Sequence, residues 1–137
     1  MESLALSQAV LMSETDAIVA TDREGRIQFW NPGAQRIFGY AGAEALGQSL
    51  DLIIPPGLRA RHWEGYHRVM ASGTTHYGSG DVLSVPGITK AGQRVSLEFS
   101  IVMLRDAAGQ LAGMASIMRD VTTRFEEMKR LRQQQAP

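Results

Sequence analysis

Arg94-Val95-Ser96-Leu97-Glu98-Phe99-Ser100-Ile101-Val102-Met103 decides the fold. Val95, Leu97, Phe99, Ile101 and Met103 fall on every second position, with Arg94, Ser96, Glu98, Ser100 and Val102 between them. Successive side chains of a strand point to opposite faces, so this pattern predicts a strand with one apolar side. On its N-terminal side Lys90-Ala91-Gly92-Gln93 reads as a turn. Before that turn Val82, Leu83, Val85 and Ile88 form a further strand, which Pro86-Gly87 is expected to bulge or bend. On the other side Asp106-Ala107-Ala108-Gly109-Gln110 is a turn, and Leu111 to Met118 is a third strand. Asp120-Val121-Thr122 then leads into a helix through about residue 131.

The first half differs. Residues 2–13 carry Leu4, Leu11 and Met12 at the spacing of a short amphipathic helix, to be packed on the sheet or on a partner. Ala17 to Thr21 reads as a buried strand, Asp22-Arg23-Glu24-Gly25 as a turn, and Arg26 to Asn31 as a second strand of a hairpin. Asn31-Pro32 is an N-cap followed by a first-turn proline, so a helix runs from Pro32 towards Phe38 and stops at Gly39. Short helical pieces follow at 43–46 and 50–53, the latter capped by Ser49. Between Pro55-Pro56-Gly57 and Gly73, residues 58–71 form the long central helix. Strands, helices, then strands give an α+β fold: a five-stranded antiparallel sheet with short helices on one face and helices at both ends. The expected organisation is an N-terminal helix (1–13), a central domain (14–122) and a C-terminal helix (123–137).

The composition narrows the function. The 137 residues are 44% hydrophobic and 20% charged, enough apolar content for one core. Fourteen basic residues balance fourteen acidic ones, unlike a dedicated nucleic-acid binder, which needs surplus positive charge. There is no cysteine, which removes disulfides, thiolate metal ligands and thiol nucleophiles. No apolar run reaches the ~20 residues of a membrane span. Met1-Glu2-Ser3 lacks a basic signal-peptide start, so a cytoplasmic location is expected. No nucleophile elbow, phosphate loop, dinucleotide fingerprint or His-Glu-x-x-His motif is present, so no enzyme activity is expected.

Several phrases resemble the PAS domain. They are Asp16-Ala17-Ile18-Val19-Ala20-Thr21-Asp22, Gly25-Arg26-Ile27, Trp30-Asn31-Pro32-Gly33-Ala34, Arg36-Ile37-Phe38-Gly39-Tyr40, Leu46-Gly47, and Gly113 through Arg119-Asp120-Val121-Thr122. The resemblance spans about residues 14–122 and implies a sensory module of bacterial signal transduction with a ligand between sheet and long helix. Ile54-Pro55-Pro56-Gly57-Leu58-Arg59-Ala60-Arg61-His62 is similar to the stretch that carries the proximal histidine of bacterial haem-binding PAS gas sensors. Carried over, the resemblance implies haem b with His62 as its axial, iron-binding ligand. Leu97, Phe99, Ile101, Met103 and Ile117 would then wall the ligand, and Arg61 would reach its propionates. A diatomic gas or redox state would be sensed and relayed through the C-terminal helix. The family's distal Arg or Met is missing from the matching Gly78-Ser79-Gly80-Asp81. A sixth ligand would be Met103, Met114 or Met118, or the position would be open.

The residues also support plainer readings. The plainer reading of His62 is a solvent-facing or capped helix residue. His67 lies five residues on, about 140° round the helix, so the pair cannot share zinc. His76 falls in a loop, and Trp30 and Trp63 are packing residues. Arg59, Arg61 and Arg68 make a solvated basic face. The methionines are adaptable filler. Val121, Phe125, Met128 and Leu131 are spaced four, three and three, a coiled-coil seam that predicts a homodimer through the terminal helices. The alternative function is a PAS domain that binds a small organic ligand or none and acts by dimerisation.

Overall fold

The computed structural model describes residues 2–75 and 81–135. Helix α1 (Ser3–Leu11) precedes the hairpin of β1 (Ala17–Asp22) and β2 (Ile27–Trp30). Then come α2 (Pro32–Phe38), α3 (Gly42–Ala45), two 3₁₀ turns (Leu50–Ile53 and Pro56–Leu58) and α4 (Arg59–Ser72). Strands β3 (Leu83–Ile88), β4 (Arg94–Arg105) and β5 (Leu111–Asp120) follow, and α5 (Thr122–Gln135) ends the described chain. The strands form one sheet in the order β2-β1-β5-β4-β3, every neighbouring pair antiparallel. The first and last strands of the chain's sheet region, β1 and β5, therefore meet at its middle.

Local chemistry explains the boundaries. Asn31 caps α2 by accepting from the Ala34 N–H at 2.9 Å, and Pro32 occupies the first turn, where no amide donor is needed. Gly39 ends α2 with φ +85°, a left-handed conformation that glycine adopts without a Cβ clash. Ser49 caps the first 3₁₀ turn through the Asp51 N–H.

Register fixes the two faces. Ala17, Val19 and Thr21 stand opposite Met118, Ser116 and Met114. Phe99, Ile101 and Met103 stand opposite the same three β5 residues. This inner face packs under the helices in two apolar clusters. One gathers Val19, Leu97 and Met118 with Phe38 and Ile53. The other gathers Met114 and Leu111 with Tyr66 and Met70 of α4.

Two expectations are corrected. β3 is not bulged at Pro86-Gly87: Leu83 to Ile88 pair one-for-one with Phe99 to Arg94. Pro86 is tolerated because β3 is an edge strand. A Cβ on Gly87 would press Leu97 Cδ1 at 2.7 Å, so glycine permits close packing there. The second concerns only the sheet-packed alternative for α1: no residue of this helix is buried, and Leu4 is 68% exposed.

Candidate functional site

The site is built on α4. Gly73, with φ +73°, ends this helix by donating its N–H to the Val69 carbonyl at 2.8 Å. At its start Arg59 donates to the carbonyls of Ile54 (3.0 Å) and Asp51 (3.2 Å). Trp63 donates its indole N–H to Asp51 Oδ1 at 2.7 Å and lays its ring over Gly25 in the β1–β2 turn. Further along, the Tyr66 hydroxyl donates to the Asp22 carbonyl and pairs with Thr21 Oγ1 at 2.8 Å. From the same turn, Arg23 donates to the carbonyls of Leu111 (2.5 Å) and Met70 (3.1 Å). Arg105 reaches the Gly73 carbonyl at 3.1 Å. These bonds hold α4 along β1 and the β4–β5 end of the sheet.

Coverage of the inner face is therefore uneven. On β1 and β5, Ala17, Val19, Met114 and Met118 are buried. Across β4 and β3 the face opens: Phe99, Ile101, Met103 and Leu83 are only half-buried, and Val85 is 40% exposed. This half-covered apolar face is the candidate ligand floor, and Tyr66 and Met70 of α4 pack on its Ile101 and Met103 side.

His62 projects from the first half of α4. Its Nδ1 is buried without a hydrogen-bond partner, the only such side-chain atom among the described residues. Its ring lies 4.5 Å from Trp63 and 5.8 Å from Tyr66, centroid to centroid. Burial pushes its pKa below the ordinary 6.5; Asp51 opposes this and His67 adds to it. At neutral pH the ring is thus uncharged and one nitrogen keeps a free lone pair. An uncharged imidazole with an unpartnered ring nitrogen has the donor chemistry that an axial haem ligand requires.

Leu97, Phe99, Ile101 and Met103 share the inner face, as expected. Arg61 is exposed. Ile117 is corrected: it pairs with Ile18 and Ser100 on the opposite face and is 37% exposed. The cause is an irregularity at the start of β5. Leu104 pairs with Gly113 but Arg105 with Leu111, leaving Ala112 extra. That extra residue inverts the alternation, so Met114, Ser116 and Met118 face inward. Met114 and Met118 are packed into the two clusters, and Met103 leans on the second. His67 stacks on Trp63 at 28° and is exposed. Trp30 is a packing residue, 5.7 Å from Phe38 and bonded to the Tyr40 carbonyl. His76, Gly78, Ser79 and Gly80 lie outside the described residues. No group of three or more His, Asp or Glu that could hold a metal ion occurs among the described residues. Sequence reading missed Ser116, Tyr66 and Arg23, whose placement depends on strand register and on long-range contacts.

A separate groove of about 500 Å³ lies at the other end of the molecule, lined by Met12, Phe29, Trp30, Gln35 and Arg36 among others. Among the described residues, the buried unpartnered polar side-chain atom is not in this groove but on α4, at His62 Nδ1.

Comparison with known proteins agrees with this fold. The family model described as the PAS fold matches residues 11–126. Sensor protein FixL of Bradyrhizobium diazoefficiens is 27% identical over 130 residues, covering 94% of this chain and 25% of that protein. Oxygen sensor protein DosP of Escherichia coli is 26% identical over 130 residues, covering 91% of this chain and 14% of that protein. The chain thus spans a quarter or less of the length of these relatives. The crystal structure of a PAS domain from Colwellia psychrerythraea superposes with a TM-score of 0.75 at 24% identity, over 89% of this chain and 99% of that one.

Proposed function

The chain belongs to the PAS-fold family, and from that premise we propose that it is a sensory module whose ligand, haem b, sits between α4 and the β3–β4 floor with His62 as its axial ligand. The observation that carries this reading is the buried, partner-free Nδ1 of His62. Haem would supply an iron centre able to bind a diatomic gas or change redox state. The chain's own residues do the rest. Trp63 and Tyr66 fix the helix that carries His62 by bonding to Asp51, Thr21 and Asp22. Leu97, Phe99, Ile101 and Met103 offer an apolar wall, which keeps water from the ligand. Arg61 is exposed next to His62 in the chain, and its guanidinium would meet a carboxylate of the ligand. The name of DosP, an oxygen sensor, supports a gas as the signal.

The route out runs through β5. The Val121 N–H donates to the Ser96 carbonyl at 2.8 Å, and the Ser96 N–H donates to Thr122 Oγ1 at 2.9 Å. Arg124 pairs with Glu98. The start of α5 is thereby bonded to β4, part of the ligand wall. Phe125, Met128 and Leu131 lie exposed along α5, and this stripe supports a homodimer as the working unit.

Hemin titration of the purified protein tests the reading. The expected result is a Soret band at one haem per chain, abolished or shifted in His62→Ala. A wild-type protein that takes up no hemin overturns it and leaves the family's other role, pairing around a small organic ligand or none.

A further inference from the structure

The two edges of the sheet are finished differently. At β2, the Ile27 N–H donates to the Gln48 carbonyl and the Gly47 N–H to the Ile27 carbonyl, both at 2.8 Å, so the chain at 47–48 covers that edge. Beside β3, the Thr89 N–H donates to the Gln93 carbonyl at 2.9 Å, which makes these two a hydrogen-bonded pair. Such pairs recur at every second residue of an antiparallel ladder. Leu83, Val85 and Gly87 therefore bond to β4, and the backbone groups of Ser84, Pro86 and Ile88 point away from the sheet. The next outward N–H, of Lys90, is taken by the Phe38 carbonyl at 2.8 Å. Among the described residues no backbone bond from outside the sheet reaches Ser84, Pro86 or Ile88.

The residues along this edge are of the kind that pairs. Val82-Leu83-Ser84-Val85-Pro86-Gly87-Ile88 contains no charged side chain. Val82 is 65% exposed and Val85 40%. An uncharged, exposed edge rich in β-branched residues is a template for another strand. Two copies meeting antiparallel about a two-fold axis at Pro86 would set Ser84 of each against Ile88 of the other. Pro86 would then face itself, and with no N–H on either side the central pair of bonds is missing.

We infer that Pro86 is a guard against pairing: the edge of β3 fits the same edge of a second copy, and the proline at its middle keeps the two sheets apart. This surface is separate from the α5 stripe and from any ligand.

The test uses the full chain carrying Phe125→Glu and Met128→Glu, so that pairing through α5 does not mask the result. Pro86→Val and Pro86→Thr are each added to this parent, alone and together with Ser84→Lys, which puts a charge on the same edge. Circular dichroism checks the fold, and sedimentation at rising concentration reads association. Each Pro86 variant should associate at least about tenfold more tightly than the parent, because two N–H groups return to the joint. Adding Ser84→Lys should return it to the parent's behaviour. Folded Pro86 variants that sediment like the parent overturn the inference. So does association that Ser84→Lys leaves unchanged, since the joint then lies elsewhere. Failure of both variants to fold overturns it too, because a guard on an exposed edge is dispensable to the fold.

Discussion

Asn31 carries more of the structure than any other single polar side chain described here. Its carboxamide oxygen accepts from the N–H groups of Ile18 (2.8 Å) and Ala34 (2.9 Å). Its amide donates to the carbonyls of Ser13 and Asp16, both at 3.0 Å. The residue is buried. Replacing it by alanine removes a helix cap and strands several backbone groups, so Asn31→Ala should cost about 2–4 kcal/mol in urea unfolding. Half of this was legible in the sequence. Asn-Pro before an apolar run announces a cap, because capping is local. The bonds to Ser13, Asp16 and Ile18 depend on where the chain returns, and no spacing encodes that. Ile117 and Ser116 show the same limit at the site itself. Reading inward positions from Leu111 by twos selects Ile117, but one extra residue at Ala112 hands the inner face to Ser116. Gly113 marks the place: a Cβ there would collide with the Thr21 carbonyl. Gly113→Ala should therefore disturb the β1–β5 ladder and lower stability by at least about 1–3 kcal/mol in the same assay.

Among elements, α4 is the one whose position matters to the proposed ligand, and it is tied at both halves, by Trp63 and Tyr66 beside His62 and by Arg23 at its last turn. Arg23 joins its last turn to β5 through the carbonyls of Met70 and Leu111. Arg23→Ala leaves two partly buried carbonyls without that donor. Amide exchange in residues 66–72 should accelerate about tenfold or more, while the β1–β5 ladder keeps its protection. A second tie joins α3 to the β3–β4 turn, where Lys90 pairs with Glu44. Lys90 and the Ala41 N–H together hold the Glu44 carboxyl below its ordinary value of 4.5. The folded state thus binds fewer protons than the unfolded chain in that range. The resulting stability is present above the ordinary carboxylate value and is lost as pH falls through the lowered one. Lys90→Met should flatten the fall in urea midpoint between neutral pH and pH 3. The helices and strands themselves were readable from periodicity and breakers, including β4 and the Gly39 and Gly73 stops. The unbroken pairing of β3 through Pro86 was not, since it follows from being at the sheet's edge.

For the whole molecule, apolar side chains remain outside the core at both ends. Phe125 is 54% exposed, and α1 buries nothing. The four-three-three spacing on α5 predicts a seam, and Phe125, Met128 and Leu131 lie exposed along it. Its expected use is pairing with a second copy. Phe125→Glu combined with Met128→Glu should weaken association at least about 100-fold in sedimentation experiments, since each buried apolar side chain contributes roughly 1.5 kcal/mol or more. A wild type that sediments as a monomer at high concentration would refute that expectation. No described helix is long and apolar enough to cross a membrane.

β5 is flanked on both sides, by β1 and by β4, and runs directly into α5. Sliding it by a single step would drive Ile117 indoors and turn Met118 out to water. Such a strand cannot act as a piston. A movement relayed from the sheet to the final helix is therefore expected as tilt or twist, which a partner gripping that helix would feel as torque.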